Sequence, residues 1–192
     1  VVKIVDFIKT RCRAPKRGAV AVPVGWCRLC DLTVESGELW IGDPQMSWAE
    51  SRAHCGCIVR LPTGRYRVCI AIVTFGHGFF ASRLRVCQKG IRKVTIGKEI
   101  GQAGTDSARI DVCDILAMKH AYETAFPDSE DDVFEFLDKG LSPRVGILQP
   151  NGTRGARLPF VNSGLGDGVG PVFELRNGAK RIGVDAEFIS LL

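Results

Sequence analysis

Arg65-Tyr66-Arg67-Val68-Cys69-Ile70-Ala71-Ile72-Val73-Thr74 is the stretch that decides the fold class. Tyr66, Val68, Ile70 and Ile72 fall on one face, and Arg65, Arg67 and Cys69 on the other. A period of two is that of a β-strand, whose successive side chains point to opposite sides. The alternation predicts a strand that is half-exposed in its first half and buried on both sides in its second. Leu61-Pro62-Thr63-Gly64 supplies the turn before it. Arg83 to Gln88 is the predicted partner strand, with Leu84 and Val86 turned inward.

The same signals extend outward in both directions. Ser36-Gly37 opens, and Gly42-Asp43-Pro44 closes, a short strand over Glu38 to Ile41. Ala103 to Ser107 reads as a turn before a strand over Ala108 to Cys113. Asp114 is a good N-cap for a helix that carries Ile115 and Met118 at helical spacing and ends before Pro127. A second, shorter helix is predicted from Asp128 or Ser129 through Leu137, with Lys139-Gly140 as its stop. Asn177-Gly178 between two strand-like runs is a strong hairpin signal. Ahead of it, Ser163-Gly164-Leu165-Gly166-Asp167-Gly168-Val169-Gly170 crowds four glycines around one aspartate. That cluster precedes a strand and lacks a Gly-Lys-Ser/Thr ending, so it reads as a turn launching the hairpin and not as a phosphate loop. With strands at both ends and no βαβ alternation, the expected fold is α+β. It is mainly antiparallel β-sheet, sandwich-like or strongly curved, with two helices inserted mid-chain.

A chain of 192 residues, 45% hydrophobic and 24% charged, has material for one domain with a real core. Residues 1–192 are accordingly read as a single α+β domain, with 1–25 as a loosely attached N-terminal segment. No apolar run approaches the roughly 18 residues of a membrane span, and no signal peptide is visible, so a cytoplasmic location is expected. The net charge is +5. Its basic clusters, at Arg11, Arg13, Lys16 and Arg17 and at Lys89, Arg92 and Lys93, read as solvated loops without a nucleic-acid reading motif.

Eight cysteines stand at 12, 27, 30, 55, 57, 69, 87 and 113. Cys69, Cys87 and Cys113 lie in strand-like runs and read as small buried hydrophobes. Cys27-x-x-Cys30 with Cys55-x-Cys57 has the paired-ligand look of a structural zinc site, with reduced structural thiols or a disulfide as the other readings. No other cofactor is indicated.

Four pieces in order resemble a largely bacterial family known as domain of unknown function 4241. They are Ser36 to Pro44, Leu61 to Val68, Gly104 to Asp114, and the glycine cluster with its hairpin. The resemblance spans residues 36 to about 188 and implies no reaction, because none is established for the family. Some small bacterial domains of this kind sit near toxin systems, so the resemblance carries the expectation of an immunity or partner-binding role.

Aspartates recur at turns. Asp43, Asp106 and Asp167 are candidate ligand-binding carboxylates expected to converge at one end of the sheet, where they would share a cation or divide acid and base roles. His77, between Phe75-Gly76 and Gly78-Phe79, is a fourth candidate. No motif unites a nucleophile, an orienting base and an oxyanion donor. A non-catalytic binding domain engaging a protein partner is therefore the first expectation. A hydrolase-like enzyme using the aspartates, with or without a divalent metal, is the second.

Overall fold

The computed structural model describes residues 22–43, 56–75, 78–105, 109–125, 145–148, 158–162 and 168–188. Two antiparallel sheets share one core. The elements in chain order are β1 (Val22–Val34), β2 (Glu38–Gly42), β3 (Gly56–Arg60), β4 (Gly64–Phe75), β5 (Gly78–Gln88), β6 (Thr95–Thr105), β7 (Arg109–Asp114), α1 (Ile115–Ala125), β8 (Val145–Leu148), β9 (Leu158–Asn162), β10 (Gly168–Asn177) and β11 (Lys180–Glu187). The larger sheet runs β1-β4-β5-β11-β10-β6 and the smaller β3-β2-β7-β9-β8.

The alternation of β4 is the axis of the larger sheet. Tyr66, Val68, Ile70 and Ile72 are buried, as are Leu84 and Val86 of β5 and Val184 and Ala186 of β11. Across from them, Leu39 and Ile41 of β2, Val59 of β3, Ile110 and Val112 of β7 and Val161 of β9 come from the smaller sheet into the same cluster. Removing this much apolar area from water, at about 25 cal/mol per Å2, is the dominant stabilising term.

Three features differ from the expectations, and one expectation falls outside the described residues. Thr95 to Thr105 forms a full edge strand where a turn was expected from Ala103, because β10 pairs with it through Gly168↔Thr105, Val169↔Gly104 and Gly170↔Ala103. The hairpin strand therefore begins inside the glycine cluster, and residues 163–167 lie outside the described residues. Among the described residues there is one helix, α1; the second predicted helix, from 128 onward, lies outside them. Residues 22–25, placed with a loose N-terminal segment, belong to β1.

The third difference concerns the first cysteine pair. Cys27 and Cys30 are not at a knuckle turn but within the 13-residue strand β1. The pairing shifts between Arg28 and Cys30, so Leu29 is the extra residue of a bulge. Cys27 then stands opposite Ile70 and Cys30 opposite Val68, and both thiols face the core despite their odd separation.

Local chemistry fixes the ends of these elements. Asp114 caps α1 as expected: its Oδ1 accepts the Leu116 N–H at 2.9 Å. Its Oδ2 accepts the N–H groups of Glu35 and Ser36 and the Ser36 hydroxyl at 2.7–2.8 Å, tying the β1–β2 turn to the helix start. Gly178 takes φ 61 in the β10–β11 turn, as an Asn-Gly hairpin requires. At Gly170 a methyl group would collide with the Glu187 carbonyl oxygen, so close approach of two backbones explains that glycine. No helix among the described residues is long and apolar enough to cross a membrane.

The Tyr66 ring is fully buried and its hydroxyl donates to the Pro62 carbonyl at 2.5 Å, pinning the loop into β4. Burial pushes its ionisation up to about 12. Tyr66→Phe is expected to cost about 1 kcal/mol in urea unfolding, the worth of one hydrogen bond with its ring packing kept. An unchanged midpoint would show that the hydroxyl anchors nothing.

Candidate functional site

The two sheets treat their outward faces differently. On the smaller sheet, Met118 of α1 packs over Trp40, Cys113 and Leu158, so this face is a second buried layer. Arg109 and Asp111 share that face of β7 two residues apart, and both side chains are fully buried. The guanidinium meets the carboxylate twice, Nε to Oδ1 and Nη2 to Oδ2, each at 2.8 Å, and lies 4.2 Å from the centre of the Phe160 ring. A fork-to-fork pair of this kind is among the strongest hydrogen-bonded arrangements available to charged side chains.

Asp43, at the end of β2, is also fully buried, beside Gly42, which stands opposite Asp111. Burial pushes the Asp111 carboxyl up to about 6; Arg109 opposes the shift and the Asp43 charge adds to it. Asp43 thus joins a buried charge cluster and does not face an open cleft. Asp106, Asp167 and His77 lie outside the described residues, as does Cys55. The register does place Thr105 opposite Gly168, the described neighbours of Asp106 and Asp167 in the chain.

Among the described residues no three His, Cys, Asp or Glu side chains come together as a metal site. Cys27, Cys30 and Cys57 share the core. Burial pushes the thiols of Cys27, Cys57, Cys69 and Cys87 up, and that of Cys113 well up. Such thiols are poor nucleophiles. Cys113 is buried as expected; Cys69 and Cys87 are only half-buried, because their parity with Arg67 and Arg85 turns them away from the core.

The larger sheet keeps part of its outward face open. There Asp185 of β11, fully buried, receives Nε of Arg83 on one oxygen and Nε of Arg85 on the other, each at 2.6 Å. Arg85 lies with its guanidinium carbon 4.1 Å from the ring centre of Trp26, which is 41% exposed. Trp26 is on β1 and Arg85 on β5, with β4 between them. Small Cys69 and Ala71 at the facing positions of β4 leave the trough in which the two meet. Further along, Asp31 is shared by Arg28 at 2.6 Å, Lys89 at 2.9 Å and Arg65 at 3.7 Å. The Lys89 ammonium, with Arg28, holds its carboxyl below the usual range. Arg67 is exposed and has no ion-pair partner among the described residues.

A second opening, of about 540 Å3, lies where the edge strands β3 and β6 meet, lined by Ile58, Arg60, Lys98, Glu99, Ile100 and Arg181. Its cations are largely balanced. Arg60 faces Glu38 at 3.7 Å, and Arg181 shares Glu174 with Arg176 at 3.1 and 2.7 Å. Arg176 and then Arg181 hold the Glu174 carboxyl low. The cationic surplus therefore belongs to the open face, not to this cleft.

Sequence reasoning put Arg65 and Arg67 on one face of a strand but did not gather them with Arg83, Arg85 and Trp26. Basic clusters were sought as runs, whereas a sheet collects like-facing residues at every second position of neighbouring strands. The pattern Arg-x-Arg in two paired strands was the available signal. No family model, curated protein or solved structure matches this chain.

Breaking the Arg109–Asp111 pair with Asp111→Ala is expected to cost about 3–5 kcal/mol, while Arg109→Met with Asp111→Leu recovers most of that loss. Because the folded Asp111 carboxyl titrates near 6 and its ordinary value is 3.8, the folded chain holds a proton that the unfolded chain has released between those values. This group's contribution is fully present below 3.8 and declines as pH rises through about 6. Asp111→Asn should flatten that part of the stability–pH curve; a curve parallel to the parent's would refute the assignment.

Proposed function

We propose that the chain is a non-catalytic binding domain that engages a protein partner through the open face of its larger sheet, in the manner of an immunity or accessory protein. The observation that carries this reading is Trp26, a large exposed aromatic whose ring is held against Arg85 while Arg85 is itself held by buried Asp185. Trp and Arg are the residues most enriched among interface anchors, and a side chain already ordered in the free protein loses less entropy on binding. The alternative, a hydrolase using Asp43, Asp106 and Asp167 with a divalent metal, is favoured only by the meeting of Thr105 and Gly168 in register. Against it stands the full burial of Asp43, which a substrate would have to open the fold to reach.

Two measurements separate these readings. The immobilised chain should retain a discrete protein from lysate of the cells it comes from. Trp26→Ala should lose that protein at unchanged circular dichroism and melting temperature. Ester, phosphate and peptide substrates should stay uncleaved with and without magnesium or manganese. Metal-dependent turnover abolished by Asp43→Asn would overturn the binding reading in favour of the enzyme.

A further inference from the structure

Resting on that reading, we infer that the partner presents an acidic, extended polypeptide segment, and that it docks along β1, β4 and β5 with Arg67 and Trp26 at the centre. Charge complementarity carries the inference. Arg28, Arg65 and Lys89 converge on one carboxylate, Asp31, which can neutralise only one of them. Arg67 on β4 stands opposite that same Asp31 in register and makes no ion pair among the described residues. The face thus offers at least three unneutralised cations in an area a few strands wide, and an anionic partner gains both affinity and association rate from such a field.

Geometry selects the form of the anion. Arg65 and Arg67 are alternate residues of one strand, and so are about 6.7 Å apart along it, the same spacing as alternate carboxylates of an extended Glu- or Asp-rich chain. Guanidinium groups bind carboxylates in paired hydrogen bonds, a mode this protein uses within itself at Arg109–Asp111. Single-stranded nucleic acid has comparable charge spacing but is bound by stacking successive bases on several aromatic rings. Trp26 is the one exposed large aromatic among the described residues of this face, and Arg85 already covers one side of its ring. That leaves an apolar anchor for a single side chain, not a platform for a row of bases.

The test is a binding titration of the full chain with labelled oligoglutamate and, separately, with labelled oligothymidylate of equal charge, at low salt. Oligoglutamate should bind more tightly. Arg67→Glu should weaken it about tenfold, whereas Lys180→Glu, with the same change in net charge at the β10–β11 turn, should not. Arg67 has no ion pair to lose among the described residues, and Arg65→Glu serves as a second reversal should the first disturb folding. Tighter binding of oligothymidylate overturns the inference. So does an equal loss in Lys180→Glu, which would reveal attraction by net charge alone. If oligoglutamate fails to bind while Trp26→Ala still loses the captured protein, the binding reading stands and the acidic-segment inference falls.

Discussion

The structure depends on one constraint: β4 and β5 each carry an apolar face that must be buried and a charged face that must not enter that core, and β11 sets the buried Asp185 carboxylate against the charged face. Tyr66, Val68, Ile70, Leu84, Val86, Val184 and Ala186 line the shared core, and Arg65, Arg67, Arg83, Arg85 and Asp185 alternate with them. Slipping any of these strands by one residue would exchange the two sets. A slip of β4 or of β5 would carry two arginines into an apolar core without partners, at several kcal/mol for each ion even after relaxation. Register is therefore specified twice over, by what the core attracts and by what it rejects. The bulges of β1 and β5 are register shifts after which the buried and outward sets continue on their own faces.

The outward faces of the two sheets show what burial does to the same kinds of residue. Arg109 and Asp111 alternate with Ile110 and Val112 as Arg65 and Arg67 alternate with Tyr66 and Val68. Yet α1 and the residues around it close over the smaller sheet, so Arg109 and Asp111 must satisfy each other in a dry setting. On the larger sheet, charges at the β1–β4–β5 end remain in water and are shared loosely. The alternation alone is identical in the two cases. Only the presence of a second layer distinguishes a buried ion pair from charges left at the surface.

That distinction also marks how far the sequence could be read. Strands with strict alternation, β4, β5 and β7, together with the Asn177-Gly178 turn and the Asp114 cap, were legible because their signals are local. β6 was not, because Gly97, Gly101 and Gly104 weaken its alternation and its strand state comes from pairing with β10. The Cys27-x-x-Cys30 spacing was read as a turn, whereas both residues lie in a strand where a bulge, invisible in sequence, returns both thiols to one face. Asp43 was singled out as a turn carboxylate, but its burial next to Gly42, opposite Asp111 of β7, is decided by tertiary pairing. The open cationic face was half-legible: its arginines could be placed on strands, but not its sharing of Asp31 or the Trp26–Arg85 stack across β4.

Three carboxylates show how the face proposed for recognition differs from the rest of the structure. Asp111 is buried with Arg109, and its carboxyl is pushed up because desolvation outweighs the attraction of the guanidinium. Asp185 is buried too, but two arginines clamp it, and breaking such a pair strands a charge at a cost of about 3–5 kcal/mol. Neither can release its arginines to an incoming ligand without disturbing the fold. Asp31 differs: its pairs with Arg28, Arg65 and Lys89 lie at the surface, where an ion pair is worth about 0–1 kcal/mol. Those cations can exchange one carboxylate for another at little loss, while Trp26 stays positioned by the clamped Arg85. A rigid aromatic beside exchangeable cations is a combination that folding does not require and that binding can use.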